Sequence, residues 1–167
     1  ATYRLRFFAR SPTYRGTINA ALETASGRVL AAHRFAGFSP GWKEFTARLT
    51  ADGADTRARL VFEADTAGTI WFDMVSLFPE NTFRNRPNGL RRDLAQLLAD
   101  LKPSFLRFPG GCVVEGITLD NRYKWKETIG PVRDRPGHWV VWNYHSTDGP
   151  GFHEYLQLCE DLGAAGM

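Results

Sequence analysis

The apolar periodicity of this chain changes once, near residue 79, and that change limits what it can fold into. Before it the chain is strand-like, and in two runs apolar residues recur at every second position. Tyr3, Leu5 and Phe7 alternate with Arg4 and Arg6, and Ala58, Leu60 and Phe62 share one face of 57–64. A period of two belongs to a strand with one buried side. Six strands are predicted, over 3–7, 17–22, 28–35, 42–50, 57–64 and 69–78 (the last the most apolar), with turn signals such as Ser26-Gly27 and Asp52-Gly53 between them. Short strands at this spacing predict an antiparallel β-sandwich of jelly-roll type over residues 1–78.

After residue 79 the period becomes helical. Leu90, Leu94, Leu97, Leu98 and Leu101 form one stripe, with Arg91, Arg92, Asp93 and Asp100 on the other side. Lys102-Pro103 ends this helix and a strand over 104–108 follows at once. A second helix is predicted over 151–162, on the stripe Phe152, Tyr155, Leu156, Cys159 and Leu162. Thr147 or Asp148 is expected to cap it and Gly163 to stop it. Helix, tight connection and apolar strand are the grammar of a (β/α)₈ barrel or a doubly wound sheet. A barrel takes about 250 residues and the α/β part here supplies about two of its units. Either the fold is smaller or the chain is a piece of a larger protein. A start directly in strand-like sequence and a stop where the next strand should begin favour the piece.

The stretch SFLRFPGGCVVEG over 104–116 is the focus of the second part. Pro109 cannot donate to a ladder, so the strand ends there. Gly110-Gly111 allows a sharp bend and close approach of a ligand. Cys112 and Glu115 follow at the strand end, where α/β folds build their sites. Strand parity puts Arg107 with Phe105, opposite Leu106 and Phe108. In a strand covered on both faces Arg107 would need an anionic partner. In an edge strand it would lie in solvent, and the stretch alone leaves both open.

Several function classes are disfavoured. The chain carries 21 Lys+Arg against 18 Asp+Glu, interleaved and without a basic run, which argues against a nucleic-acid partner. No apolar run is long enough to span a membrane, and no signal peptide is visible, so localisation stays unknown. Cys112 and Cys159 belong to no metal-ligand cluster, so no metal is expected, and their spacing neither requires nor forbids a disulfide. Cys112 has no His in a recognised nucleophile context. The Gly-Gly pair lacks the spacing of a nucleotide-binding loop.

Sugar recognition fits better. The irregular stretch 117–146 carries Tyr123, Trp125, Trp139, Trp142 and Tyr144 among polar residues, and loops of this length are usually functional. For Trp125 and Trp139 a small core beneath the loop is the plainer reading. Glycoside hydrolysis needs two carboxyl groups about the scissile bond, and Glu115 is the one acid here placed like either.

At this point the motifs resemble those of a known family. PENTF…RPNGLRRDLAQLLADLKPSFLRFPGGCVVEG is similar to the first complete helix–strand unit of the catalytic barrel in α-L-arabinofuranosidases of glycoside hydrolase family 51. Tyr123-Lys124-Trp125-Lys126-Glu127-Thr128-Ile129-Gly130-Pro131 resembles the family's Y-x-W-x-x-x-I-G-P segment. Trp142, Thr147, Asp148, Gly151, Phe152, Glu154 and Tyr155 follow the order of its W…TN…G-x-x-E-F pattern. The first part is similar to the jelly-roll, carbohydrate-binding-like module that one branch carries ahead of the barrel. Asp148 stands where Asn is usual, and residues 117–122 look inserted.

The resemblance implies an α+β chain in two parts: a partial antiparallel, jelly-roll-like β-sandwich (1–78), then the opening βα units of a (β/α)₈ TIM barrel (79–167). It implies a retaining hydrolase acting on terminal α-L-arabinofuranosyl groups of arabinan, arabinoxylan or their oligosaccharides, with no cofactor. Arg107 would support the nucleophile carboxylate. Gly111 and Cys112 (where other members carry Asn) would contact the arabinose, and Trp142 would line the cleft. Glu115, Trp125 and Asp148 are secondary candidates. Both catalytic glutamates would lie on later strands, so no catalytic residue is expected in this chain. A homo-oligomeric parent is compatible with this reading. The alternative is a non-catalytic carbohydrate-binding module.

Overall fold

Six strands form where the sequence predicts them. They are β1 (Thr2–Arg10), β2 (Ile18–Glu23), β3 (Val29–Phe35), β4 (Lys43–Thr50), β5 (Arg59–Ala64) and β6 (Trp71–Pro79) in a computed structural model that describes all 167 residues. They make two three-stranded sheets, ordered β4-β1-β6 and β3-β2-β5, with every neighbour antiparallel. Inward residues of both sheets form one core: Leu5, Phe7 and Ala9 of β1, Phe45 and Leu49 of β4, Ile18 and Ala20 of β2, Leu30 and Phe35 of β3. This is a β-sandwich.

Phe7 is its centre. Fully buried, it meets Phe35 edge-on at 4.9 Å, stacks on Phe45 at 5.3 Å, and touches Phe62 and Phe72 at 5.3 and 5.5 Å. One ring from β1 thus contacts rings from β3, β4, β5 and β6, combining area burial with favourable ring geometry. At the sandwich rim Asp65 accepts from Tyr14 Oη at 2.9 Å, from Thr17 N at 2.9 Å and from Thr17 Oγ1 at 2.7 Å.

The chain divides into two compact units, Ala1–Arg92 and Asp93–Met167. The first extends past the change of period at 79 because the connecting segment is tied back to the sandwich. Glu80 N donates to Thr2 O at 3.0 Å, Arg48 pairs with Glu80 at 2.6 Å, and Thr82 bridges Arg91.

In the second unit, α1 (Arg92–Asp100) forms on the leucine repeat. Leu94, Leu97, Leu98 and Leu101 are nevertheless exposed, so the apolar stripe has no cover within this chain. The strand expected over 104–108 shortens to β7 (Phe105–Leu106), which pairs in parallel with β10 (Ala165–Gly166). Between them lie α2 (Cys112–Glu115), the hairpin β8 (His138–Val140) and β9 (Tyr144–Ser146), and α3 (Phe152–Leu162). Gly163 ends α3 in the left-handed region, as expected. The expected cap at Thr147 or Asp148 is wrong. The N-cap is Gly151, whose N–H donates to Glu154 Oε2 at 2.8 Å. The glycine has no side chain to cap with, and the third helical residue reaches back instead.

Phe7→Ala is expected to destabilise the sandwich by about 3–5 kcal/mol, read from chemical unfolding. Hydrogen bonds from Thr17 and Tyr14 hold the Asp65 carboxyl down to about 2. A depressed folded value means stabilisation that is complete above the ordinary carboxylate value and lost as pH falls through the folded one. Asp65→Asn is therefore expected to flatten the fall in melting temperature between pH 3.8 and about 2.

Candidate functional site

The 104–116 stretch folds as a strand end followed by a bend. Gly110 and Gly111 have φ of 55° and 63°, a region that suits glycine, and α2 starts directly after them. The Arg107 side chain lies over this bend: a Cβ placed on Gly110 would sit 3.5 Å from its Nε and 3.6 Å from its Cζ. Arg107 is exposed and pairs with no carboxylate of this chain. Arg107 lies one residue beyond the end of β7 (Phe105–Leu106). Cys112 is exposed as the first residue of α2 and Glu115 is exposed as its last. Both cysteines are free, with Cys159 buried.

Phe108, next in the chain, anchors the strand end. It stacks on Tyr155 of α3 at 3.4 Å between centroids and meets Tyr123 edge-on at 5.6 Å. Burial raises the Tyr123 hydroxyl above its ordinary value. Residues 117–122, the apparent insertion, close on themselves: Asn121 Oδ1 accepts from Ile117 N at 2.9 Å and Thr118 N at 2.7 Å.

The long loop is organised by a residue that the sequence did not single out. The Arg135 side chain is only 2% exposed and forks onto Glu154, at 2.7 Å to Oε1 and 3.2 Å to Oε2. It also donates to the carbonyls of Gly130 (3.0 and 2.7 Å), Asp148 (2.7 Å) and Gly149 (2.7 Å). Burial pushes the Glu154 carboxyl up. The Arg135 hydrogen bonds and the Gly151 N–H outweigh it and hold the group below its ordinary value. A Cβ at Gly151 would overlap the Thr128 carbonyl and the Arg135 guanidinium, so a side chain there would break this packing. Thr128 is fully buried, and its Oγ1 accepts from Phe152 N at 2.9 Å while donating to Trp125 O at 2.8 Å. Glu154 is visible in the sequence through its place in the motif order, but nothing in the sequence pairs it with Arg135.

The predicted site residues therefore fall in different settings. Arg107, Gly111 and Cys112 are gathered at one bend. Trp142 is 59% exposed in the turn of the β8–β9 hairpin, with no ring contact or hydrogen bond to them. Trp125 is half-covered by Phe152 at 5.3 Å. Asp148 is buried: its Oδ2 lies 3.0 Å from His138 Nδ1 and its Oδ1 accepts from Ser146 Oγ at 2.9 Å. That carboxylate holds the hairpin to the loop and has little left to offer a ligand. A cleft of about 370 Å³ opens in the sandwich unit beside Arg4, Arg48 and Arg86, and no predicted site residue lines it. No three His, Cys, Asp or Glu side chains converge to hold a metal ion, and no helix is long and apolar enough to cross a membrane.

Comparison with known proteins gives a consistent result. Residues 97–167 match the family model "Alpha-L-arabinofuranosidase 1 domain". The chain is 49% identical over 125 residues to α-L-arabinofuranosidase 2 of Arabidopsis thaliana, covering 74% of this chain and 18% of the relative. It is 40% identical over 159 residues to the extracellular exo-α-L-arabinofuranosidase of Streptomyces chartreusis, covering 89% and 19%. An arabinose-bound MgGH51 α-L-arabinofuranosidase superposes with a TM-score of 0.87 at 41% identity, over 99% of this chain and 28% of that one. The chain thus spans about one-fifth of the length of these curated relatives.

Arg135→Met is expected to destabilise the second unit by about 3 kcal/mol, the scale of leaving a buried partner unpaired. Hydrogen exchange is expected to show faster amide exchange in α3, with the sandwich amides unchanged.

Proposed function

Because the chain belongs to the α-L-arabinofuranosidases of glycoside hydrolase family 51, we propose that it forms part of a retaining, exo-acting enzyme that removes terminal α-L-arabinofuranosyl groups from arabinan, arabinoxylan or their oligosaccharides. The observation that carries this reading is the likeness over both units, at 41% identity, to an arabinose-bound member of the family. In this reading the second unit is the opening segment of a (β/α)₈ barrel. The parallel pair β7 and β10, with α3 between them in sequence, supports it. So does the leucine stripe of α1, which further barrel elements would cover.

Retaining hydrolysis passes through a covalent glycosyl-enzyme. One carboxylate attacks the anomeric carbon while a second carboxyl protonates the leaving oxygen, then deprotonates the incoming water. The chemistry needs neither metal nor organic cofactor. The role assigned to Arg107 is positioning. Its guanidinium, held over the Gly110 bend and unpaired within this chain, pairs with the nucleophile carboxylate and keeps it ionised. Gly111, with a bare backbone, and the exposed Cys112 contact the sugar, and Trp142 offers an exposed ring face to it. Neither Glu115 nor Asp148 acts as the acid or the nucleophile.

The purified 167-residue chain is expected to release no arabinose from a chromogenic arabinofuranoside, and its full-length parent to release it readily. In that parent, Arg107→Ala is expected to lower kcat/KM about a hundredfold, the scale of losing one preorganised charged donor. It should also move the acid limb of the pH–rate profile upward, because removing the cation raises the carboxylate's pKa. Unchanged turnover with an unchanged profile removes the role. A full-length parent inactive on arabinofuranosides removes the proposed function itself.

A further inference from the structure

The solvent face of the sandwich carries a cation with no acid to answer it. On β1, Leu5, Phe7 and Ala9 point into the core, so Arg4, Arg6, Phe8 and Arg10 lie on the opposite face. Arg10 is in register with Trp71 of β6, and Trp42 sits beside it, one residue before the paired end of β4. The guanidinium carbon lies 5.0 Å from the Trp42 ring and 5.2 Å from the Trp71 ring. Both indoles are well exposed, at 48% and 43%.

Three features set this row apart from a sheet surface held only by its own contacts. Arg10 forms no ion pair, and its Nε is buried with no hydrogen-bond partner. The neighbouring carboxylates are engaged elsewhere. Glu44 pairs with Arg6 at 2.8 Å, and Asp73 accepts the Met74 N–H at 2.7 Å. Two rings also fix the side chain, so its fork of donors is held in place before any ligand arrives.

We infer that Trp42, Arg10 and Trp71 form a binding site for a sugar carboxylate, that is, for a uronic-acid unit within a glycan. The guanidinium takes the carboxylate through paired N–H donors, and an exposed indole takes the C–H face of the sugar ring. Charge complementarity selects the acidic sugar: a neutral one would leave the cation unanswered. The inference concerns the sandwich and does not rest on the hydrolase assignment. Galacturonate of pectic chains and glucuronate on xylan present the same chemistry.

The test titrates the 167-residue chain, by calorimetry and tryptophan fluorescence, with tetragalacturonate and with a glucuronate-bearing xylotetraose. Each is compared with its carboxyl-reduced counterpart. Saturable binding of at least one acidic oligosaccharide is expected, with indole quenching, and about tenfold or more weaker binding after reduction. Which acid binds identifies the source. Arg10→Gln is expected to abolish the preference for the acid. Arg10→Lys, which keeps the charge but not the fork, should weaken binding partially. Trp42→Ala and Trp71→Ala change exposed residues and should weaken both ligands. Equal binding of acidic and reduced oligosaccharides overturns the inference in favour of a neutral-sugar surface. So does absence of saturable binding at millimolar ligand, or wild-type binding by Arg10→Gln. If Arg10→Gln fails to fold, the comparison of acidic with reduced ligand on the unmutated chain still decides.

Discussion

A single buried guanidinium holds the second unit in its shape. Arg135 reaches three backbone carbonyls and a carboxylate at once, joining the loop at Gly130, the segment at Asp148–Gly149 and the first turn of α3. Carbonyls in such a loop need partners once water is removed, and no regular ladder is available to them. The cation supplies five directed donors, and Glu154 offsets the desolvation of its charge. Glu154 in turn closes the helix N-terminus through Gly151. The long irregular stretch is thereby a set of turns tied to α3, with Trp142 presented on a hairpin whose base is fixed by His138, Ser146 and Asp148.

The sandwich depends on a different kind of force. Phe7 collects rings from four other strands, so its sheets are joined by non-directional burial refined by ring geometry. Alternation along β1 then has two products from one constraint. Every inward residue enlarges the core, and every outward residue is displayed in register with its neighbours. The row Trp42–Arg10–Trp71 is such a display, assembled from β1, β6 and the residue just before β4, which are far apart in sequence.

Much of this was legible beforehand. All six sandwich strands and both longer helices lie where the sequence places them, because strand-like runs between turn signals and apolar stripes at helical spacing are local patterns. The Gly110-Gly111 bend was legible too, since its backbone angles suit glycine. The α3 cap was not, because Gly151 has no side chain to announce itself, and a reader looks for the nearest Thr or Asp. Asp148 stands in the sequence as a secondary site candidate and a candidate helix cap, and only the fold shows its carboxylate engaged with His138 and Ser146.

What the sequence determined by itself is local and periodic: which segments are strands, which are helices, where glycine must turn the chain, and which family the ordered motifs resemble. Tertiary structure alone decided the pairings between distant side chains, Arg135 with Glu154 and Arg10 between two indoles. It also decided that the Arg107 side chain lies over the Gly110 bend. The physical reason is that periodicity is written by neighbours in the chain. A buried cation's acceptors are chosen by whatever folding brings within about 3 Å, and no spacing in the sequence encodes that distance.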